Sequence, residues 1–140
     1  MVALLGESEN GVGLAAPQIG ASKAVFIVLK SIIDPQKSAG QKEGETKKLA
    51  LNDILIFINP AIIKQSRKKE SMHEGCLSVP GIFGNIRRSR QVTLKALDES
   101  GKEIIRGAGG LLAQVFQHEC DHLNGKLFID NATDLRKIEK

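Results

Sequence analysis

The stretch Gln117-His118-Glu119-Cys120-Asp121-His122 constrains this chain more than any other. It sits in a helical pattern in which Leu111, Leu112, Val115, Phe116 and Leu123 cover two stripes, the wide apolar coverage of a helix buried inside a protein. Asn124-Gly125 supplies the C-terminal cap. Two histidines four apart project from the same face of such a helix, about one turn apart, so both imidazoles can reach one metal ion. The glutamate after the first histidine is placed as a base beside that ion. Buried side chains of this kind must be satisfied, so the remaining chain has to wrap the helix and bring partners to it. A catalytic zinc-type site takes three protein ligands, and the helix offers two. Candidates for the third are His73, Glu74, Cys76 and Asp121. Asp121, one residue before His122, is better placed to orient an imidazole N–H than to bind metal. Cys76 lies in His73-Glu74-Gly75-Cys76-Leu77-Ser78-Val79-Pro80-Gly81, which reads as an irregular, tightly bent segment presenting a thiol and backbone N–H groups to a pocket.

The elements around the helix follow from local pattern. Met1 to Glu9 reads as the end of a helix, stopped by Asn10-Gly11. The glycines and small residues of 11–20 suit a backbone that something approaches closely, with Gln18 as its one polar side chain. Ala24 to Leu29 is a continuous apolar run and so a buried strand, as is Ile54 to Ile58, closed by Asn59-Pro60. Ala61 to Gln65 continues as a short strand and Ser66 to Ser71 as a polar turn. Asp34 to Lys48 is polar and reads as a surface loop. Gln91 to Leu97 alternates as a half-buried strand, Asp98 to Gly101 is a hairpin loop, and Lys102 to Arg106 pairs back. Gly107 to Gly110 frees the chain to begin the helix. After it, Leu127-Phe128-Ile129 reads as a short strand and Asn131 to Lys140 as a charged tail with a helical turn or two.

Length and charge narrow the class. A chain of 140 residues is one domain over 1–140, large enough for one core. No run approaches the ~18 apolar residues of a membrane span, and the first residues carry no basic leader, which makes the default location intracellular. The net charge of +4 gathers partly in Arg67-Lys68-Lys69 and Arg87-Arg88-Ser89-Arg90. Such runs are usually solvated loop and strand edge, and with no Tyr or Trp to stack bases no direct nucleic-acid function is expected. Cys120, inside the apolar helical pattern, reads as a small buried hydrophobe.

Three separated segments together resemble the peptide deformylase family, in its order: Gly11-Val12-Gly13-Leu14-Ala15-Ala16-Pro17-Gln18, Glu74-Gly75-Cys76-Leu77-Ser78, and Gln117-His118-Glu119 with His122. The flanks Phe57-Ile58-Asn59-Pro60 and Asp121-His122-Leu123-Asn124-Gly125 agree as well, so the likeness runs from about Asn10 to Asp130. The resemblance implies Cys76, His118 and His122 as ligands of one divalent metal ion, Fe²⁺ by family preference, with Zn²⁺, Ni²⁺ or Co²⁺ able to take the same site. It implies removal of the formyl group from the N-terminal formylmethionine of newly made polypeptides. Metal-bound water would attack the formyl carbon, with Glu119 as general base and then acid. Gln18 and the Leu77 N–H would donate to the oxyanion. Backbone near Val12-Gly13 and Gly75 would pair with the peptide, and Val12, Met72, Leu111, Gln114 and Val115 would line the methionine pocket. Gln114 stands where the family usually has an apolar residue, turning its amide outward or narrowing the preference for methionine. Arg88 would pair with Glu74. The implied partners are the formylated nascent polypeptide and, transiently, the ribosome; no membrane is involved. The location is cytoplasmic, with organellar or phage-encoded origins also compatible. Relative to the family, both ends of the chain are short, with no proposed catalytic residue lost.

The expected architecture is α+β, with small, mostly antiparallel sheets around a central helix carrying the His-Glu-x-x-His motif. Two other readings compete. A zinc endopeptidase needs a third His or Glu ligand after the helix, where Glu139 is the only one. An inactive relative would bind formyl-peptides or metal without turnover.

Overall fold

The structure, a computed structural model, describes residues 12–32, 53–76 and 79–137. Its strands are β1 (Gly13–Ala15), β2 (Val25–Leu29), β3 (Ile54–Gln65), β4 (Lys69–Cys76), β5 (Val79–Ser89), β6 (Gln91–Leu97), β7 (Glu103–Gly109) and β8 (Thr133–Lys137). The helix α1 (Gly110–Leu123) lies between β7 and β8 in the chain. The strands make two antiparallel sheets, one in the order β1-β2-β3-β6-β7 and one in the order β4-β5-β8.

The apolar run of β2 is buried on both sides. Phe26 and Val28 face one way and pack with Phe57, Val92, Leu94 and Ala96 against Ala113, Val115, Phe116 and Cys120 of α1. Ile27 faces the other way and packs with Leu14 and Ile54. A strand covered on both faces needs no polar alternation, which is why it reads as one continuous run. Between sheet and helix, the rings of Phe26, Phe57 and Phe116 meet with centroids 5.1 to 6.1 Å apart. The first turn after β1 is a short 3-10 helix, Ala16–Ile19, that places Gln18 next to the β4 strand end.

Several local expectations are corrected. Asn59-Pro60 does not close a strand: Asn59 takes φ 50 and the register to β6 shifts between Ile58 and Ala61, so a bulge absorbs the dipeptide within β3. The polar turn after β3 ends earlier, because β4 begins at Lys69. The segment leading to Cys76 is extended strand, with an irregularity only between Gly75 and Cys76. Residues 79–89 form β5 although they contain Pro80, Gly81 and Gly84. Gly84 makes room for β8: a Cβ there would stand 2.7 Å from Leu135 and 3.0 Å from the Thr133 carbonyl. The charged stretch expected as a helical tail is β8, paired to β5, and residues 128–130 are a 3-10 turn with Phe128 buried. β7 runs on through Gly107 to Gly109 before α1 starts. Met1 to Glu9, expected as a helix end, and Asp34 to Lys48, expected as a surface loop, lie outside the described residues.

Truncating a ring at the centre of the core tests this packing. Phe57→Ala should destabilise the protein by about 3–5 kcal/mol in urea unfolding. Ile105→Ser, at a side chain 62% exposed on β7, should stay within about 0.5 kcal/mol of wild type. Equal losses from the two would place the core elsewhere.

Candidate metal centre

Helix period and strand period together build the site. On α1, Leu111, Gln114, His118 and His122 recur every three or four residues and so share one face, with Val115 at its border toward Glu119. On β4, residues two apart share a face, which sets Met72, Glu74 and Cys76 on one side and His73 on the other. His73 accordingly stacks on Phe83, with the rings 5° from parallel and 5.5 Å apart.

The inward face of β4 meets the histidine face of α1. Cys76 Sγ lies 3.1 Å from His122 Nε2, which lies 3.1 Å from His118 Nε2. Thiol and imidazole donors around one tetrahedral zinc-type ion stand about 3.3–3.6 Å apart, so the three atoms are gathered nearly as a metal needs them. Among the described residues these three form the one such His/Cys/Asp/Glu group whose ligand atoms all lie within 4.8 Å of one another. Of the other candidates for the third ligand, His73 faces away. Glu74 instead binds His118 Nδ1, the far side of the ring from Cys76. Asp121 accepts from Arg88 at 2.5 Å, so the orienting carboxylate is Glu74 and not Asp121.

Glu74 is saturated with donors. Oε1 accepts from Arg88 Nη2 at 2.6 Å and contacts His118 Nδ1; Oε2 accepts from Arg88 Nε at 3.2 Å and Gln114 Nε2 at 3.2 Å. Burial alone would raise its pKa, but the hydrogen bonds and charges of His118 and Arg88 outweigh it and bring the carboxyl down to about 2. Arg88, raised in turn by Glu74 and Asp121 against the effect of its own burial, is a fixed cation. His118 is also buried, which opposes its charge; Cys76, Glu74 and Glu119 nonetheless push it up to about 10. The surroundings thus favour positive charge at this point.

Glu119 has the opposite balance. It is 3% exposed, and burial raises its carboxyl to about 7 against the nearby histidines. Its Oε2 is buried with no hydrogen-bond partner. Gly13 crosses directly over it: a Cβ there would stand 3.1 Å from both Glu119 Oε1 and Val115 Cγ1. Gln18 accepts the Ala15 N–H at 2.8 Å through Oε1 and turns Nε2 to Cys76 Sγ at 3.6 Å. One thiol, two imidazoles and an orphaned carboxylate oxygen beside them fit a divalent metal with a polar group to be held next to it.

The other expected site residues are more scattered. Val12 is half-buried against the core, Met72 half-buried on the inward face of β4, and Leu111 half-exposed on the first turn of α1. The Gln114 amide is bound across to β4: Nε2 donates to the His73 carbonyl at 2.9 Å and to Glu74. Gly75 lies under the Phe83 ring, where a Cβ would stand 2.5 Å from it. Leu77 lies outside the described residues. Sequence reasoning missed Gln117, whose amide accepts the Ser89 N–H at 2.8 Å and donates to the Ser89 carbonyl at 2.9 Å, tying β5 to α1. Its signal was a polar residue inside an apolar stripe. Cys120 packs in the core, and burial pushes its thiol up to about 12.

Known proteins carry the same arrangement of sequence. A family model described as polypeptide deformylase matches residues 1–138. A peptide deformylase of Carboxydothermus hydrogenoformans is 44% identical over 90% of this chain and 69% of its own. One of Halothermothrix orenii is 46% identical over 86% of this chain and 66% of its own. A crystal structure of peptide deformylase from Plasmodium falciparum superposes with a TM-score of 0.78 at 36% identity, covering 96% of this chain and 69% of that one. The chain thus spans about two thirds of the length of these proteins.

The ion pair is open to test in the metal-free protein. Arg88→Ala strips two carboxylates of a buried partner and should cost about 3–5 kcal/mol in urea unfolding. The Glu74 carboxyl sits near 2 instead of its ordinary 4.5. Its stabilisation is therefore fully present above that ordinary value and is lost as pH falls through it toward the folded one. Glu74→Gln should flatten the acid limb of the stability profile; an unchanged limb would assign it to other groups.

Proposed function

Because the chain belongs to the peptide deformylase family, we propose that, acting as one catalytic domain, it hydrolyses the formyl group from the N-terminal formylmethionine of newly made polypeptides. The observation that carries this reading is the convergence of Cys76, His118 and His122 within 4.8 Å, beside a buried Glu119 with an unsatisfied oxygen. The helix is read as the central support that carries two of the ligands, and β4 as the bearer of the third.

In this reading Cys76, His118 and His122 would hold a divalent metal, Fe²⁺ by family preference or Zn²⁺, Ni²⁺ or Co²⁺, which would supply the charge that makes a water acidic near neutral pH. Glu119 takes the proton released by the attacking water and delivers it to the leaving amine. A carboxyl raised to about 7 supports both directions of transfer. The Gln18 amide, its oxygen already held by Ala15, keeps its N–H side toward the reacting carbonyl, and the Leu77 N–H is the second oxyanion donor. β1 is the edge strand of its sheet, so an extended peptide can add along Val12-Gly13, with Gly75 facing it, and its first residue then starts beside Glu119. The methionine side chain is assigned to Val12, Met72, Leu111 and Val115; Gln114 stands apart because its amide is bound to β4. The reading includes a transient encounter with the ribosome and a cytoplasmic location. Among the described residues no helix is long and apolar enough to cross a membrane.

A zinc endopeptidase is less well supported, since the described residues after His122 contain no His or Glu. Hydrolysis of a formyl-Met peptide, followed with and without a chelator, tests the proposal. Activity should disappear with the chelator and return with added metal; equal rates in both samples reject it. Glu119→Gln should keep its metal and lose about 100-fold or more in kcat. Cys76→Ser should lose metal content, and full retention would remove the thiol from the ligand set.

A further inference from the structure

We propose that Gln114 is a positioning residue for His118, acting through Glu74. This rests on the metal site of the proposed function and adds a residue to it. Gln114 lies one helical turn before His118, so both side chains leave α1 on the same face and reach the same carboxylate. His118 Nδ1 meets Oε1 and Gln114 Nε2 meets Oε2 at 3.2 Å. The second amide hydrogen goes to the His73 carbonyl at 2.9 Å. Both neighbours of that amide are acceptors, so its NH₂ group must face them and its orientation is fixed.

The consequence is geometric. Arg88 alone holds Glu74 through two bonds from one direction, a fork about which the carboxylate can still tilt. The Gln114 amide adds a bond from α1 itself. It ties the plane of the carboxylate to the same helix that carries the imidazole it must orient. Its bond to the backbone of β4 also fixes the strand in register beside α1, and Cys76 lies three residues further along that strand. Through that carboxylate one side chain sets the direction of His118 Nε2. Partners of metal-binding histidines that fix the ring in this way matter at about 10–100-fold in metal affinity. A residue acting through such a partner falls at the lower end of that range.

Zn²⁺ binding to the full chain, measured by competition with a chelating dye, is the test. Gln114→Met keeps length and packing but removes both donors. It should weaken Zn²⁺ binding about tenfold. Glu74→Ala should weaken it further, and Gln114→Met added to Glu74→Ala should then change it little, because the carboxylate through which Gln114 acts is gone. In the Co²⁺-loaded protein, Gln114→Met should shift the ligand-field bands while leaving the thiolate charge-transfer band in place. Unchanged Zn²⁺ affinity and Co²⁺ spectrum in Gln114→Met would overturn the proposal. So would an effect of equal size with and without Glu74, which would mark a merely structural role. If the wild-type chain binds no Zn²⁺ or Co²⁺, the metal site itself falls, and this positioning role with it.

Discussion

Arg88 is the interaction on which the polar half of the molecule depends. Its guanidinium lies between Glu74 of β4 and Asp121 of α1, with the Arg88 and Glu74 side chains almost fully removed from water. Taking such charges out of water costs several kcal/mol per ion even after the surroundings relax. The arrangement holds because the acceptors are used on both carboxylate oxygens and the guanidinium fork matches them in plane. A lysine at 88 would offer a point charge with no such match. The pair joins three elements, since β5 supplies the arginine and the other two supply the carboxylates. It therefore fixes how the small sheet docks on the helix, and through that docking the distance between Cys76 and the two histidines.

Two glutamates within this site are driven in opposite directions by their surroundings. Glu74 has donors on both oxygens and stays ionised, its carboxyl at about 2. Glu119 is as buried but has an oxygen with no partner, and its carboxyl rises to about 7. The same side chain is thus held as an anion in one place and shifted toward its protonated form in the other. The distinction follows from position on the helix face. His118 looks to β4, where Arg88 waits, while Glu119, one residue on, looks to β1, where Gly13 closes over it and brings only backbone.

Much of this was legible in the chain. The helix, the continuous apolar strands and the candidate ligands on it followed from period and residue type, because each is a local pattern. The missing parts share a physical cause. β5 carries Pro80 and two glycines, and β8 is exposed along its length; neither has an intrinsic preference for strand, and each is extended because a neighbour supplies the ladder. Asn59-Pro60 reads as a strand end because a bulge long enough to hold it is a property of two strands together. Nearness in sequence makes Asp121 look better placed to orient an imidazole than to bind metal. Glu74, far away in the chain, takes that role because the strand brings it to the ring.

Extended strand up to Cys76, its register to β5 shifting only after Gly75, is what makes the small sheet suited to its task. Alternation sets Glu74 and Cys76 on one face with a single residue between them. The strand that delivers a ligand atom thus also delivers the group that orients another ligand, and neither can shift without the other. The residue between them must then face away, and it faces a phenyl ring: Phe83 lies so close over Gly75 that any side chain there would strike it. The glycine in Glu-Gly-Cys is therefore required by its outer neighbour, with no turn involved. Phe83 in turn stacks on His73 and keeps that imidazole on the outer face. Strand geometry sends Glu74 and Cys76 to the helix and turns His73 away.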